Sequence, residues 1–205
     1  NAHQARDAVV QIARTIALYV GLLALACRSR VAADEEPDVA SLLRELHRRS
    51  LSDAEWLELA RSLTKPWRDR RDAYPIPELV GALEEPALTE TLESLASLRE
   101  REVPESELLD LLFKAVARAA SVVATIEFLE DYPLVVMLDA GEAEHWMGVR
   151  RSHRKTTRVR GNGLVVGSAA LIDHDGAPVL ALSPLLQAIA PTPGAQLEMF
   201  MLDGR

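Results

Sequence analysis

The hydrophobic period changes once along these 205 residues, at Tyr132-Pro133. No other feature constrains the fold as much. Before that point apolar residues recur every three or four positions, the spacing of one face of an α-helix. After it they come in short runs of β-forming residues separated by glycine turns. A long apolar helix feeding directly into a strand, with no Ser/Gly-rich linker, predicts an α+β chain. About six helices over residues 1–131 would pack with a small, mostly antiparallel sheet over 132–205, in one shared core. No internal repeats or low-complexity tracts interrupt the pattern.

The helices can be placed from their stripes and their ends. Residues Ala8 to Ala26 are apolar on nearly all sides, as a central helix requires. Glu35-Glu36-Pro37-Asp38 breaks that run and opens a helix with Val39, Leu42, Leu43 and Leu46 on one face. Ser52-Asp53-Ala54-Glu55 has the form of a capping box, ahead of an apolar face of Trp56, Leu57, Leu59, Ala60 and Leu63. Pro66 stops that helix. Pro75 and Pro77 read as a connection, followed by short helices bearing Leu79, Val80 and Leu83, then Leu88, Leu92, Leu95 and Leu98. Pro104 suits the first turn of the longest late helix, expected from Glu105 to about Glu130, with Leu108, Leu111, Leu112, Ala115, Ala119 and Val122 buried.

Beyond Pro133 the grammar is that of hairpins. Leu134 to Leu138 forms one strand, Asp139-Ala140-Gly141 a turn, and His145 to Val149 the return. His174-Asp175-Gly176 sits between Ala169–Asp173 and Ala177–Leu182; an Asp-Gly pair there is a strong hairpin signal. Pro184 to Ile189 suggests a helical turn, and Leu197 to Leu202 a last strand.

Composition sets the class. The chain is 48% hydrophobic but only 4% aromatic, so its core rests on Leu, Val and Ala, and it is too apolar to be disordered. The net charge of −8 lies entirely in residues 1–131, where 24 acids outnumber 16 Lys and Arg. That surface repels phosphate backbones and argues against duplex DNA as a partner. The single cysteine, Cys27, excludes an intrachain disulfide framework and a Cys-rich zinc site. Thr15 to Cys27 is a 13-residue apolar run, shorter than a membrane span needs, so it reads as a core helix. A soluble, cytoplasmic protein with no membrane partner is expected. The first residue, Asn1, and the apolar stretch Met201-Leu202 before Asp203-Gly204-Arg205 point to a module of a longer chain.

No assembled catalytic signature emerges, and no catalytic residue, metal site or cofactor is expected. Cys27 closes an apolar run and reads as a buried structural thiol. His3, His47, His145, His153 and His174 include no pair at the i, i+4 spacing of a helical zinc site. Asp173-His174-Asp175 reads as turn chemistry. Gly161-Asn162-Gly163 through Gly167 lacks the Lys-Ser/Thr of a phosphate cradle and reads as a turn before a strand. Paired acids such as Glu84-Glu85 read as solvated faces. The most conspicuous cluster is Arg150, Arg151, His153, Arg154, Lys155, Arg158 and Arg160, six basic residues and one histidine with no acid among them. Arginine forks suit phosphate or carboxylate, so this segment is the candidate surface for an anion, RNA or an acidic protein, set on a loop or an edge strand.

Several segments resemble the helical accessory regions, often called HEPN-like, of multidomain bacterial signalling and conflict-system proteins. In the first half these are Leu42-Leu43-Arg44-Glu45-Leu46, Ser52 through Arg61, Pro77-Glu78-Leu79-Val80 and Leu95-Ala96-Ser97-Leu98-Arg99. In the second half the resemblance continues through Tyr132–Val136, Met147–Arg150, Leu180–Leu185 and Met199–Gly204, so that it spans residues 4–204. Ribonucleases resembling this group use an arginine followed, after four to six residues, by a histidine. Arg99 is the matching arginine by position, but Glu100 through Ser106 contain no histidine. The resemblance therefore implies a non-catalytic relative.

The reading that results is a non-enzymatic interaction or regulatory module of a bacterial signalling or defence protein. It would recognise a partner protein or a neighbouring domain of its own chain through the sheet and the basic segment. A HEPN-like ribonuclease or RNA-binding protein using residues 150–160 is the alternative. A regulatory fragment released by proteolysis is a third reading, suggested by the two ends.

Overall fold

The computed structural model describes residues 2–31, 37–100, 104–146, 155–161, 163–189 and 198–202. These fall into two compact units, one from residues 2–25 and 37–127, the other from 26–31 and 128–202.

The first unit is helical. α1 (Ala2–Arg28) is mostly exposed over its first two turns and mostly buried from Ala17 to Cys27, with Leu22, Leu23, Ala24 and Cys27 essentially inaccessible. By length and composition alone α1 could cross a membrane. Its buried face is nevertheless committed to packing: Gly21 lies against the Trp56 indole, and the Tyr74 hydroxyl donates to the Ala24 carbonyl at 3.5 Å. α2 (Pro37–Leu46) and α3 (Asp53–Thr64) follow. The capping box forms: Ser52 Oγ accepts from the Glu55 N–H at 3.3 Å, and Glu55 Oε2 accepts from the Ser52 N–H at 2.7 Å. All five expected apolar residues of α3 are buried. Pro66 ends α3, and the chain tightens into a 3₁₀ segment, Lys65–Ala73, on which Trp67 is buried with the Arg70 guanidinium 4.2 Å from its ring.

α4 (Pro77–Glu84) and α5 (Pro86–Ala96) each begin on a proline. Pro77 thus opens a helix rather than lying in a connection. Its missing N–H is one that a first helical turn leaves unpaired anyway. α6 (Glu105–Thr125) packs against α5 and ends about five residues before the expected boundary. The β-branched run Val122-Val123, Thr125-Ile126 loses rotamer freedom in a helix. At Ile126 the N–H is shared between the Val122 and Val123 carbonyls, both at 3.2 Å, and a 3₁₀ segment, Glu127–Asp131, takes over.

Among the described residues of the second unit, every strand pairing is antiparallel. Its strands are β1 (Leu134–Asp139), β2 (Glu142–His145), β3 (Thr156–Arg158), β4 (Ala169–Ile172), β5 (Pro178–Ala181), β6 (Leu186–Ile189) and β7 (Glu198–Met201). The first five form one sheet in the order β3-β2-β1-β4-β5, and β6 with β7 a two-stranded ribbon. Val135, Met137, Ala143, Val159, Ala170 and Ile172 make the core of the sheet, with Leu164 packed against it.

Two expectations change here. The return strand after Gly141 starts at Glu142, three residues earlier than His145, because Gly141 at φ +86° makes the turn tight. Of residues 184–189, only Pro184 and Leu185 lie in a turn, closed by the Leu186 N–H donating to the Leu182 carbonyl at 2.9 Å; Leu186–Ile189 form β6, paired with Met201–Glu198. An apolar run of that length satisfies either period, and the pairing with β7 decides it.

Candidate functional site

Of the seven residues in the basic segment, Arg150, Arg151, His153 and Arg154 lie outside the described residues. Lys155, Arg158 and Arg160 are described, and all three are exposed. β3 is an edge strand, as expected. Val159 points into the core, which turns Thr156, Arg158 and Arg160 outward by alternation.

Acids stand across the ladder from these groups. Glu142 is paired in register with Arg158, and Glu144 with Thr156. Asp175 lines the same open cleft of about 980 Å³, together with Gly141, Thr157 and Arg160. Arg158 and Arg160 therefore share this cleft with Glu142 and Asp175. The cleft is mixed in charge where the sequence shows only positive charge.

The β4–β5 turn fixes the lower end of this cleft. Asp173 Oδ1 accepts from the N–H groups of Asp175 and Ala177 at 2.9 and 2.8 Å, so the carboxylate holds the turn together. The Arg160 N–H donates to the Gly176 carbonyl at 2.8 Å. His174 is exposed, 3.5 Å from Asp131. His145 lies beside Lys155, its N–H donating to the Lys155 carbonyl at 2.8 Å. Partial burial, and then the Lys155 charge, lower its pKa and favour the neutral imidazole. Cys27 is fully buried. Among the described residues, no three His, Cys, Asp or Glu side chains are grouped as a metal would need.

A smaller cleft of about 430 Å³ in the first unit is lined by Arg61, Lys65 and Arg68 together with Glu58 and Glu93. Arg68 and Arg71 both pair with Glu84. This is again a surface of mixed charge.

One feature the sequence reading missed lies on α6. The stripe expected to be buried is buried at Leu108, Leu112, Ala115, Ala119 and Val122, and half-buried at Leu111. Beside it runs a second apolar stripe facing solvent: Leu109 at 59% exposure, Phe113 at 75%, Val116 at 54% and Val123 at 53%, with Ala120 between the valines. Ala117 and Ala124 widen it. The signal was legible. Positions 108, 112, 115, 119, 122 and positions 109, 113, 116, 120, 123 each follow a 4-3-4-3 spacing, so the helix is apolar over about twice the arc that one neighbouring helix can cover.

Compared with protein-family models, curated proteins and solved structures, the chain matches none.

Proposed function

We propose that this chain is a non-enzymatic protein-interaction module that recognises a partner protein or another domain of its own chain through α6. The observation that carries this reading is the exposed apolar stripe of Leu109, Phe113, Val116 and Val123 on one helix face. Scattered exposed apolar residues are ordinary, but a contiguous patch on a regular element is what interaction sites present. A phenylalanine with three-quarters of its surface in water, near the middle of that patch, has the character of an interface anchor. The basic segment ranks below α6 as the contact surface, because Glu142, Glu144 and Asp175 offset its described part. A setting in bacterial signalling or defence rests on the resemblance, and a cytoplasmic location on reading the short apolar run Thr15 to Cys27 as a core helix.

A photo-crosslinking residue at position 116, in the full chain expressed in its native host, tests the reading. Adducts with a discrete protein, lost on Phe113→Asp, are expected. Turnover of a substrate by the purified chain, or adducts unaffected by Phe113→Asp, would overturn it.

RNA binding is the second reading, favoured by Arg158 and Arg160 projecting beside Thr156 and Thr157 at the open cleft. It requires an affinity for single-stranded RNA that falls steeply with salt and is lost in an Arg158→Ala/Arg160→Ala double variant. Flat binding curves at low salt would remove it.

A further inference from the structure

We infer that the occupant of the α6 face is a second copy of this chain, with the two α6 helices crossing antiparallel. This rests on reading α6 as an interaction face and names its partner.

The spacing is the first support. Leu109, Phe113, Val116, Ala120 and Val123 follow the alternating four-and-three step of a two-helix seam, sustained across two heptads. Such a seam accepts another helix, and α6 is the element that carries the complementary shape. In an antiparallel pair whose two-fold axis passes between positions 114 and 115, Phe113 meets Val116 of the second copy and Leu109 meets its Ala120. Each large side chain is thereby set against a smaller one.

Charge supports the antiparallel sense. α6 carries Glu107 and Asp110 before the seam's midpoint and Lys114 and Arg118 around and after it. A parallel pair would set Asp110 against Asp110, whereas Lys114 lies beside Lys114 of the second copy in either sense. The antiparallel pair brings Glu107 and Asp110 level with residues 119–122 of the second copy, next to Arg118 and away from the like acids. The helix macrodipoles are then also opposed head to tail.

Area is sufficient. The exposed fractions of one Phe, one Leu and two Val, with the flanking alanines, amount to roughly 500 Å² of apolar surface per copy, taking an aromatic side chain at about 200 Å². Complete burial of this surface on two copies would remove at most about 1,000 Å², the lower bound for a specific interface, which predicts a weak, reversible dimer. Because each chain carries −8, screening by salt should leave this dimer unchanged or tighten it, unlike a contact driven by opposite charges.

The test is sedimentation velocity of the full chain from micromolar to hundreds of micromolar, combined with hydroxyl-radical footprinting of Phe113. A concentration-dependent dimer is expected, with Phe113 protected at high concentration. Phe113→Asp and Val116→Asp should each weaken it by at least tenfold without lowering Tm, since both side chains are exposed in the monomer. Val165→Asp, an exposed apolar position on the other unit, should leave it unchanged. A dimer indifferent to Phe113→Asp overturns the inference. A monomer at every concentration with Phe113 freely labelled overturns self-pairing but leaves the face open to a different protein. A monomer with Phe113 protected overturns both this inference and the reading of α6 as an interaction face.

Discussion

Gly21 sits where α1 passes over α3, and two opposed effects meet there. Replacing a helix-interior glycine by alanine ordinarily gains about 0.5–1 kcal/mol, because alanine loses less backbone freedom on folding. At Gly21 the added Cβ would lie 2.5 Å from Trp56 Cε3 and 3.2 Å from the Trp56 carbonyl oxygen. Trp56 is 3% exposed and is held on a capped helix, so its ring has nowhere to turn. Overpacking of this kind costs about 1–3 kcal/mol. The clash exceeds the propensity gain, and Gly21→Ala should destabilise by about 1–2 kcal/mol, lowering Tm by about 2–8 °C. Gly81 is the internal control. It lies within α4, and its added Cβ would meet only the Arg71 Nη1 tip at 3.2 Å, the end of a flexible side chain. Gly81→Ala should therefore keep the propensity gain and raise stability by up to about 1 kcal/mol. Thermal melts of both variants by far-ultraviolet circular dichroism decide the matter. If Gly21→Ala is stabilised as much as Gly81→Ala, the close approach of α1 to Trp56 is wrong.

Four further outcomes are expected. Ser52→Ala should cost about 0.5–2 kcal/mol in urea titrations by removing the acceptor of the Glu55 N–H, and no loss would mean that the capping box is idle. The Arg49 guanidinium, and then the Ser52 N–H, hold the Glu55 carboxyl at about 2, below its ordinary 4.5. Since the folded value is the lower one, this contribution is present above about 4.5 and disappears as pH falls toward 2. Glu55→Gln should flatten the loss of stability across that window, and parallel acid limbs for the two proteins would refute it. Cys27 is fully buried, so a thiol reagent should label it slowly in the native chain and rapidly in denaturant; fast native labelling would contradict its burial. Gly176 has φ +78°, and an added Cβ would fall 2.4 Å from the Arg158 carbonyl oxygen. Gly176→Ala should therefore cost at least about 2 kcal/mol, seen as faster amide exchange across β1, β2 and β3.

Much of this architecture is written locally. The period change at Tyr132-Pro133, the capping box at Ser52, the Asp-Gly turn at 175–176 and the buried stripes of α3 to α5 depend on residues a few positions apart. Short-range sterics and hydrogen bonding therefore suffice to specify them. What they leave open is anything that depends on a neighbour remote in sequence. Leu186–Ile189 became a strand because Glu198–Met201 came to lie beside it. The described part of the basic segment acquired acidic neighbours where β2 and the β4–β5 turn set Glu142, Glu144 and Asp175 next to it. Most consequentially, sequence marked two equal apolar stripes on α6, and only the packing of α5 against one of them left Phe113 and its neighbours in water. Periodicity records which side chains avoid water; which of them find cover depends on how many faces the surrounding elements can reach.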